Sequence, residues 1–137
     1  MRPSRSRVAL AVLFALLAVN AWAQVVLVPL GRADDPAALT ALQALIGAAG
    51  AAAAWGSWAG ARWAPAAAVL YGLVTAGMLV ALTPLLDLGP DARGGLWMGA
   101  AAVLLFGLWA AWYLHRALSA RGASESRESP EPPRAAG

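Results

Sequence analysis

The stretch Thr40–Trp63, TALQALIGAAGAAAAWGSWAGARW, decides how this chain is built. It carries no charge until Arg62, and as a helix it is long enough to cross a hydrocarbon layer of about 30 Å. On that helix Gln43, Gly47, Gly50 and Ala54 fall at i, i+4, i+7 and i+11, along one narrow face. Small residues on such a face let a second helix backbone approach closely, the usual route to association where water supplies no driving force. Trp55, Trp58 and Trp63, with Arg62 among them, mark the level at which the helix meets the headgroups. The stretch reads as a packed transmembrane helix, and it sets the class of the whole chain.

The rest of the 137 residues agrees. The chain is 61% hydrophobic and 12% charged, far from soluble composition. Its net charge of +3 comes from ten basic residues, all arginine, placed at helix ends and in the tail. No basic face with interleaved aromatics is formed, so nothing calls for nucleic acid as a partner. There is no cysteine, which removes disulfides, thiol relays and cysteine-ligated metals from consideration.

Working outward, Val8–Leu30 is an apolar run behind a short basic head containing Arg2, Arg5 and Arg7. Two readings compete for it. The basic head, the apolar stretch and Ala21-Trp22-Ala23 before Gln24 fit a cleaved secretory signal. The continuation through Val25-Val26-Leu27-Val28 favours a retained helix, because the run is then long enough to span. Gly31–Asp35 makes a polar turn in which Asp35 can cap the second helix and Pro36 can occupy its first turn. The second span covers about 37–58, and Gly60-Ala61-Arg62 makes a tight connection to the third, about 65–86. Pro84 is expected to kink its last turn. A polar loop, Asp87–Arg93, leads to the fourth span, about 94–116. Gly95 and Gly99 open it on a small-residue face, expected to pack inward with Ala102, Phe106 and Ala110 while Leu104, Leu105 and Leu108 face lipid. Residues 1–118 thus form the membrane domain, and 119–137, rich in Ser, Arg, Glu and Pro, read as a disordered tail.

Orientation follows from arginine. With the N-terminus inside, eight arginines fall on inner segments and two, Arg32 and Arg93, on outer loops. That bias places both termini in the cytoplasm of a bacterial inner-membrane protein. Short connections make sequential helices antiparallel neighbours, so the expected fold is all-α, an up-down-up-down bundle of four transmembrane helices.

Few residues could carry chemistry. Arg116 closes the fourth span, and no Asp, Glu, Lys or Arg lies in the interior of any of the four, which weighs against proton coupling and against acid–base catalysis inside the bilayer. The uncharged polar set is Asn20, Gln24, Gln43, Tyr71 and Thr75. It can be read as a polar path between helices, or as interhelical hydrogen bonds that set register. The second reading is preferred, because these residues are too few to line a pore. Gln24 and Gln43 each lie about 9 Å from the outer ends of their helices and are expected to face one another or a common neighbour. His115, the sole histidine, sits beside Arg116 at a helix end and reads as an interfacial side chain, not a haem ligand. Six of the seven tryptophans lie near span boundaries, and Trp22 alone lies deeper. No cofactor, metal or catalytic constellation is indicated.

Trp55-Gly-Ser-Trp-Ala-Gly-Ala-Arg-Trp-Ala64, following a helix of Leu-Gln and small residues, resembles the second-helix ending of small uncharacterised bacterial four-helix integral membrane proteins. The resemblance covers one span. It implies membership of that class and carries over no activity and no functional residues. The expectation for function is a structural or accessory protein, a scaffold or regulator of a membrane partner. The competing expectation is a small dimeric transporter or channel with an uncharged polar pathway. The partners called for are the lipid bilayer and either another membrane protein or a second copy of the chain.

Overall fold

Glycine ends the central helix. A computed structural model describes residues 4–27, 37–84 and 89–128, and in it α2 runs over Ala37–Ala59. Gly60 then takes a φ of 70°, the left-handed conformation that a residue without a Cβ adopts at least cost. The Ala61 N–H returns to the Gly56 carbonyl at 3.0 Å, the six-to-one bond of a Schellman ending. The chain reverses within this turn, and the Ala64 N–H bonds the Ala61 carbonyl at 3.1 Å. Helix α3, Ala64–Leu82, begins there with Pro65 in its first turn, where a missing N–H leaves nothing unsatisfied.

Helix α1 spans Arg5–Leu27 and α4 spans Pro90–Glu128. All four helices are long and apolar enough to cross a membrane. The 23 residues of α1 and of α2 reach about 34 Å, and the 19 of α3 about 28 Å. The chain is a multi-pass membrane protein with an all-α, four-helix fold whose sequential helices pack in turn.

Three boundaries differ from those expected. Helix α3 stops at Leu82, short of Leu86. Thr83 closes it by donating its hydroxyl to the Leu79 carbonyl at 3.3 Å and its N–H to Val80 at 3.2 Å. Pro84 therefore follows the helix and puts no kink in it, since its ring is incompatible with a further turn. Helix α4 begins early, at Pro90, with Asp91 in its first turn, where a carboxylate favours the helix dipole. It also continues past residue 118 to Glu128. Ala, Arg and Glu are strong helix formers, and the helix breaker in this region is Pro130. The expected Asp35 cap, the Gly31–Asp35 turn and residues 129–137 lie outside the described residues.

The bundle is two close hairpins, α1 with α2 and α3 with α4, joined by a narrower α2–α3 contact. Small residues make each seam. Gly50 meets Ala18, and a Cβ on it would lie 3.2 Å from the alanine Cβ. Gly56 of α2 meets Ala64 of α3 in the same way at 2.9 Å. The fully buried positions include Ala53, Ala64, Ala68 and Ala110. A core this rich in alanine suits a lipid solvent, where large side chains gain nothing by leaving the surface and close backbones gain dispersion contact.

Long side chains close the gap between the hairpins. Phe14 of α1 is completely buried. Its ring stands edge-on to Tyr71 of α3, with centroids 5.5 Å apart and planes at 81°, and lies 5.6 Å from Phe106 of α4. Phe106, Trp109 and Tyr113 continue this row along α4. Beyond them the Ser6 and Tyr113 hydroxyls share a hydrogen bond, which ties α1 to α4 near one end.

Candidate functional site

Two polar regions lie at opposite ends of the bundle. At the end holding the α2–α3 turn, Arg7 is 95% buried, with 5% of its surface exposed. Its Nε donates to the Ser57 carbonyl at 3.1 Å and its Nη2 to the Trp58 carbonyl at 3.0 Å. These are carbonyls of the last turn of α2, which no intrahelical N–H can satisfy. A guanidinium there supplies donors and places positive charge at the negative end of the helix dipole. Gly60 packs against the same guanidinium, where a Cβ would collide with Arg7. Sequence reasoning assigned Arg7 to an exposed basic head. The structure corrects this, because the orphan carbonyls of α2 hold the side chain inward. The signal was the pairing of an arginine at the start of one span with a Gly-terminated helix end at the same membrane level.

Towards the other end lie Thr40, Gln43 and Thr75. The Thr40 hydroxyl and the Gln43 Oε1 are enclosed with no hydrogen-bond partner among the described residues. The Thr75 hydroxyl is enclosed as well, one turn along α3 from Tyr71. Gln24 of α1 is half-buried and makes no hydrogen bond to Gln43. Of the two expected arrangements, direct Gln24–Gln43 hydrogen bonding is therefore not made among the described residues. Asn20 shares α1 with Gln24, but it is exposed on the outer side of the helix and takes no part in an interior path. Tyr71 is buried in the aromatic layer against Phe14. Of the five polar residues, the structure brings Gln43 and Thr75 into the interior, adds Thr40, and leaves Asn20 outside.

The packing glycines divide likewise. Gly47 and Gly50 face α1. Gly47 is covered by the Trp22 indole, whose Cδ1 and Nε1 would lie 2.7 Å from a Cβ at that position. This explains the one tryptophan that falls away from a span boundary: it fills the space that Gly47 vacates. Among the described residues Gly95 is exposed with no atom near its Cβ position, and Gly99 meets only Leu79 at 3.7 Å. Helix α4 instead docks through Ala100, Gly107, Ala110, Ala111 and Leu114, while Ala102 is exposed. The face expected to turn inward is thus rotated partly to the outside. The reason is that Gly72 of α3 accepts Gly107, a deeper contact than Gly95 or Gly99 finds.

Between α1 and α2 an apolar groove of about 940 Å³ opens outward, lined among others by Ala15, Val19, Trp22, Ala51, Ala54 and Trp55. Its lining is almost wholly apolar, suited to lipid chains. Among the described residues no three His, Cys, Asp or Glu side chains converge as a metal site would require. Further along α4, Arg116 lies over the Trp112 ring, 5.5 Å from its centroid, a cation–π contact typical of a membrane boundary. His115 beside it is exposed. No family model, curated protein or solved structure matches the chain. Its function must be argued from these contacts alone.

Proposed function

We propose that this chain is an accessory protein of the bacterial inner membrane, a scaffold or regulator for a membrane partner, with both termini in the cytoplasm. The observation that carries the reading is the use made of the one buried cation among the described residues. Arg7 binds the carbonyl end of α2, so the charge found in the bundle has a structural task and does not stand in a pathway. The contact of Phe14 with Tyr71 and Phe106 between the hairpins supports the same reading, because a conduit there would have to pass these rings. The arginine distribution supports the orientation.

One observation favours transport as the second reading. Thr40 and Gln43 present enclosed polar atoms without partners, which an uncharged substrate could satisfy. Purified protein reconstituted in liposomes separates the two. The accessory reading expects solute and ion flux no greater than in empty vesicles. Flux that disappears on Gln43→Leu would establish the transporter instead. Reporter fusions at Gly60 and at the C-terminus should report the cytoplasmic side, and fusions at Gly31 and Asp91 the opposite side.

A further inference from the structure

Asn20 stands on the outer face of α1 with no hydrogen-bond partner among the described residues. It lies thirteen residues beyond Arg7, about 20 Å along the helix and well inside a hydrocarbon layer of about 30 Å. Its short side chain cannot reach the headgroups, and lipid offers an amide neither donor nor acceptor. The residues around it are not arranged at random. Ala9, Leu13, Leu16, Asn20, Ala23 and Leu27 follow one another at spacings of four, three, four, three and four. The first five are exposed and Leu27 is half-buried. This is the alternation of a and d positions in a heptad seam, with Leu13, Asn20 and Leu27 at a and Ala9, Leu16 and Ala23 at d. From Ala9 to Asn20 the seam is exposed and points away from the buried face of α1, and among the described residues its Ala23 and Leu27 end borders the open groove beside α2.

We infer that two copies of this chain associate through α1, in parallel and about a two-fold axis along the membrane normal, with their Asn20 amides hydrogen-bonded to each other. The two-fold axis puts both amides at the same depth without further adjustment. An amide carries both donors and an acceptor, so an asparagine pair is self-complementary. A single polar residue at an a position also defines the register and the number of helices in a seam of this kind. Lipid cannot supply the same contact, and a different membrane protein would have to carry an amide or hydroxyl at the matching level. The second copy is therefore the occupant whose chemistry is already given.

The absence of native cysteine makes the test direct. Single Leu13→Cys and Leu16→Cys variants of the full chain, reconstituted alone in liposomes, should cross-link under mild oxidation. Leu70→Cys on α3 and Leu105→Cys on α4, which are equally accessible to lipid, should not. Resonance energy transfer between labelled copies should give a dimer whose dissociation constant in the bilayer rises on the order of tenfold on Asn20→Val. Asn20→Gln, which keeps the amide, should restore association. Monomers at every protein density, cross-linking on α3 or α4 as fast as on α1, or an Asn20→Val dimer as tight as the parent would each overturn the inference. Unaltered helix content of the variants by circular dichroism separates loss of pairing from loss of fold.

Discussion

Gly72 and Gly107 face each other where α3 crosses α4. A Cβ on Gly107 would stand 2.9 Å from the Ala68 carbonyl oxygen and 3.1 Å from the Gly72 Cα, both backbone atoms that cannot swing away. The two helices approach this closely because neither carries a side chain there, and in lipid such contact is a main source of attraction between helices. Gly107→Val should therefore push the hairpin apart and destabilise the protein by about 2–4 kcal/mol, by overpacking together with lost contacts. Gly99→Val, which among the described residues meets only Leu79, and Gly95→Val, which meets none of them, should each cost under about 1 kcal/mol. Thermal unfolding in mild detergent measures the ranking. A larger loss at Gly99 or Gly95 than at Gly107 would mean that the α3–α4 crossing lies elsewhere.

The capping of α2 by Arg7 predicts a graded series. Arg7→Met removes both donors, at 3.1 and 3.0 Å, and leaves the α2 carbonyls facing a largely apolar side chain. The loss should be about 2–4 kcal/mol. Arg7→Lys keeps the charge near the helix end but cannot fork across two carbonyls, so it should recover only part of the loss. Gly60→Ala acts on the same site from the other side, forcing a Cβ onto a backbone with a φ of 70° and into the guanidinium. It should cost at least about 1–2 kcal/mol from the left-handed backbone alone. Chemical unfolding of the four proteins in one detergent provides the comparison, and an Arg7→Met protein as stable as the parent contradicts the assignment.

Phe14 is the side chain through which α1 reaches both α3 and α4. Phe14→Ala should leave a cavity between the Tyr71 and Phe106 rings, at a cost of about 2–4 kcal/mol. Leu16→Ala, on the exposed side of the same helix, should change the unfolding temperature of the monomer little. The same contacts make retention of α1 a testable expectation. N-terminal sequencing should find a chain that retains Phe14, and one that starts at Gln24 would remove the helix on which this packing depends.

Gln43 should behave in the opposite sense. Its Oε1 is enclosed without a partner, and an enclosed polar atom left unsatisfied costs about 1–3 kcal/mol. Gln43→Met, close in shape, should be neutral or stabilising by about 1 kcal/mol, since it removes that penalty. A clear loss of stability would reveal a hydrogen bond to Gln43 and would strengthen the case for a ligand in the outer half of the bundle.

What could be read from sequence here is what depends on length and on distance along the chain. A run of about twenty apolar residues has to cross a bilayer as a helix, because no other local structure satisfies its backbone in lipid. The four spans, their order and the turn at Gly60 follow from that. The end of α3 was not legible, because Pro84 was expected to kink a helix that in fact stops at Leu82, ahead of it. What depends on rotation about a helix axis was not legible. In a soluble protein the buried face is the apolar one, whereas in these helices nearly every face is apolar and the pattern barely separates inside from outside. Small residues are also so abundant that several faces offer close packing. Only the tertiary structure chose Gly107 over Gly95 and Gly99 for the docking of α4, turned Asn20 outward, and set Trp22 over Gly47. The role of Arg7 was hidden for a related reason. A charged residue at a span boundary usually meets water, and its burial here required the carbonyl end of α2 to arrive at the same level, a coincidence of two helices that neither segment encodes by itself.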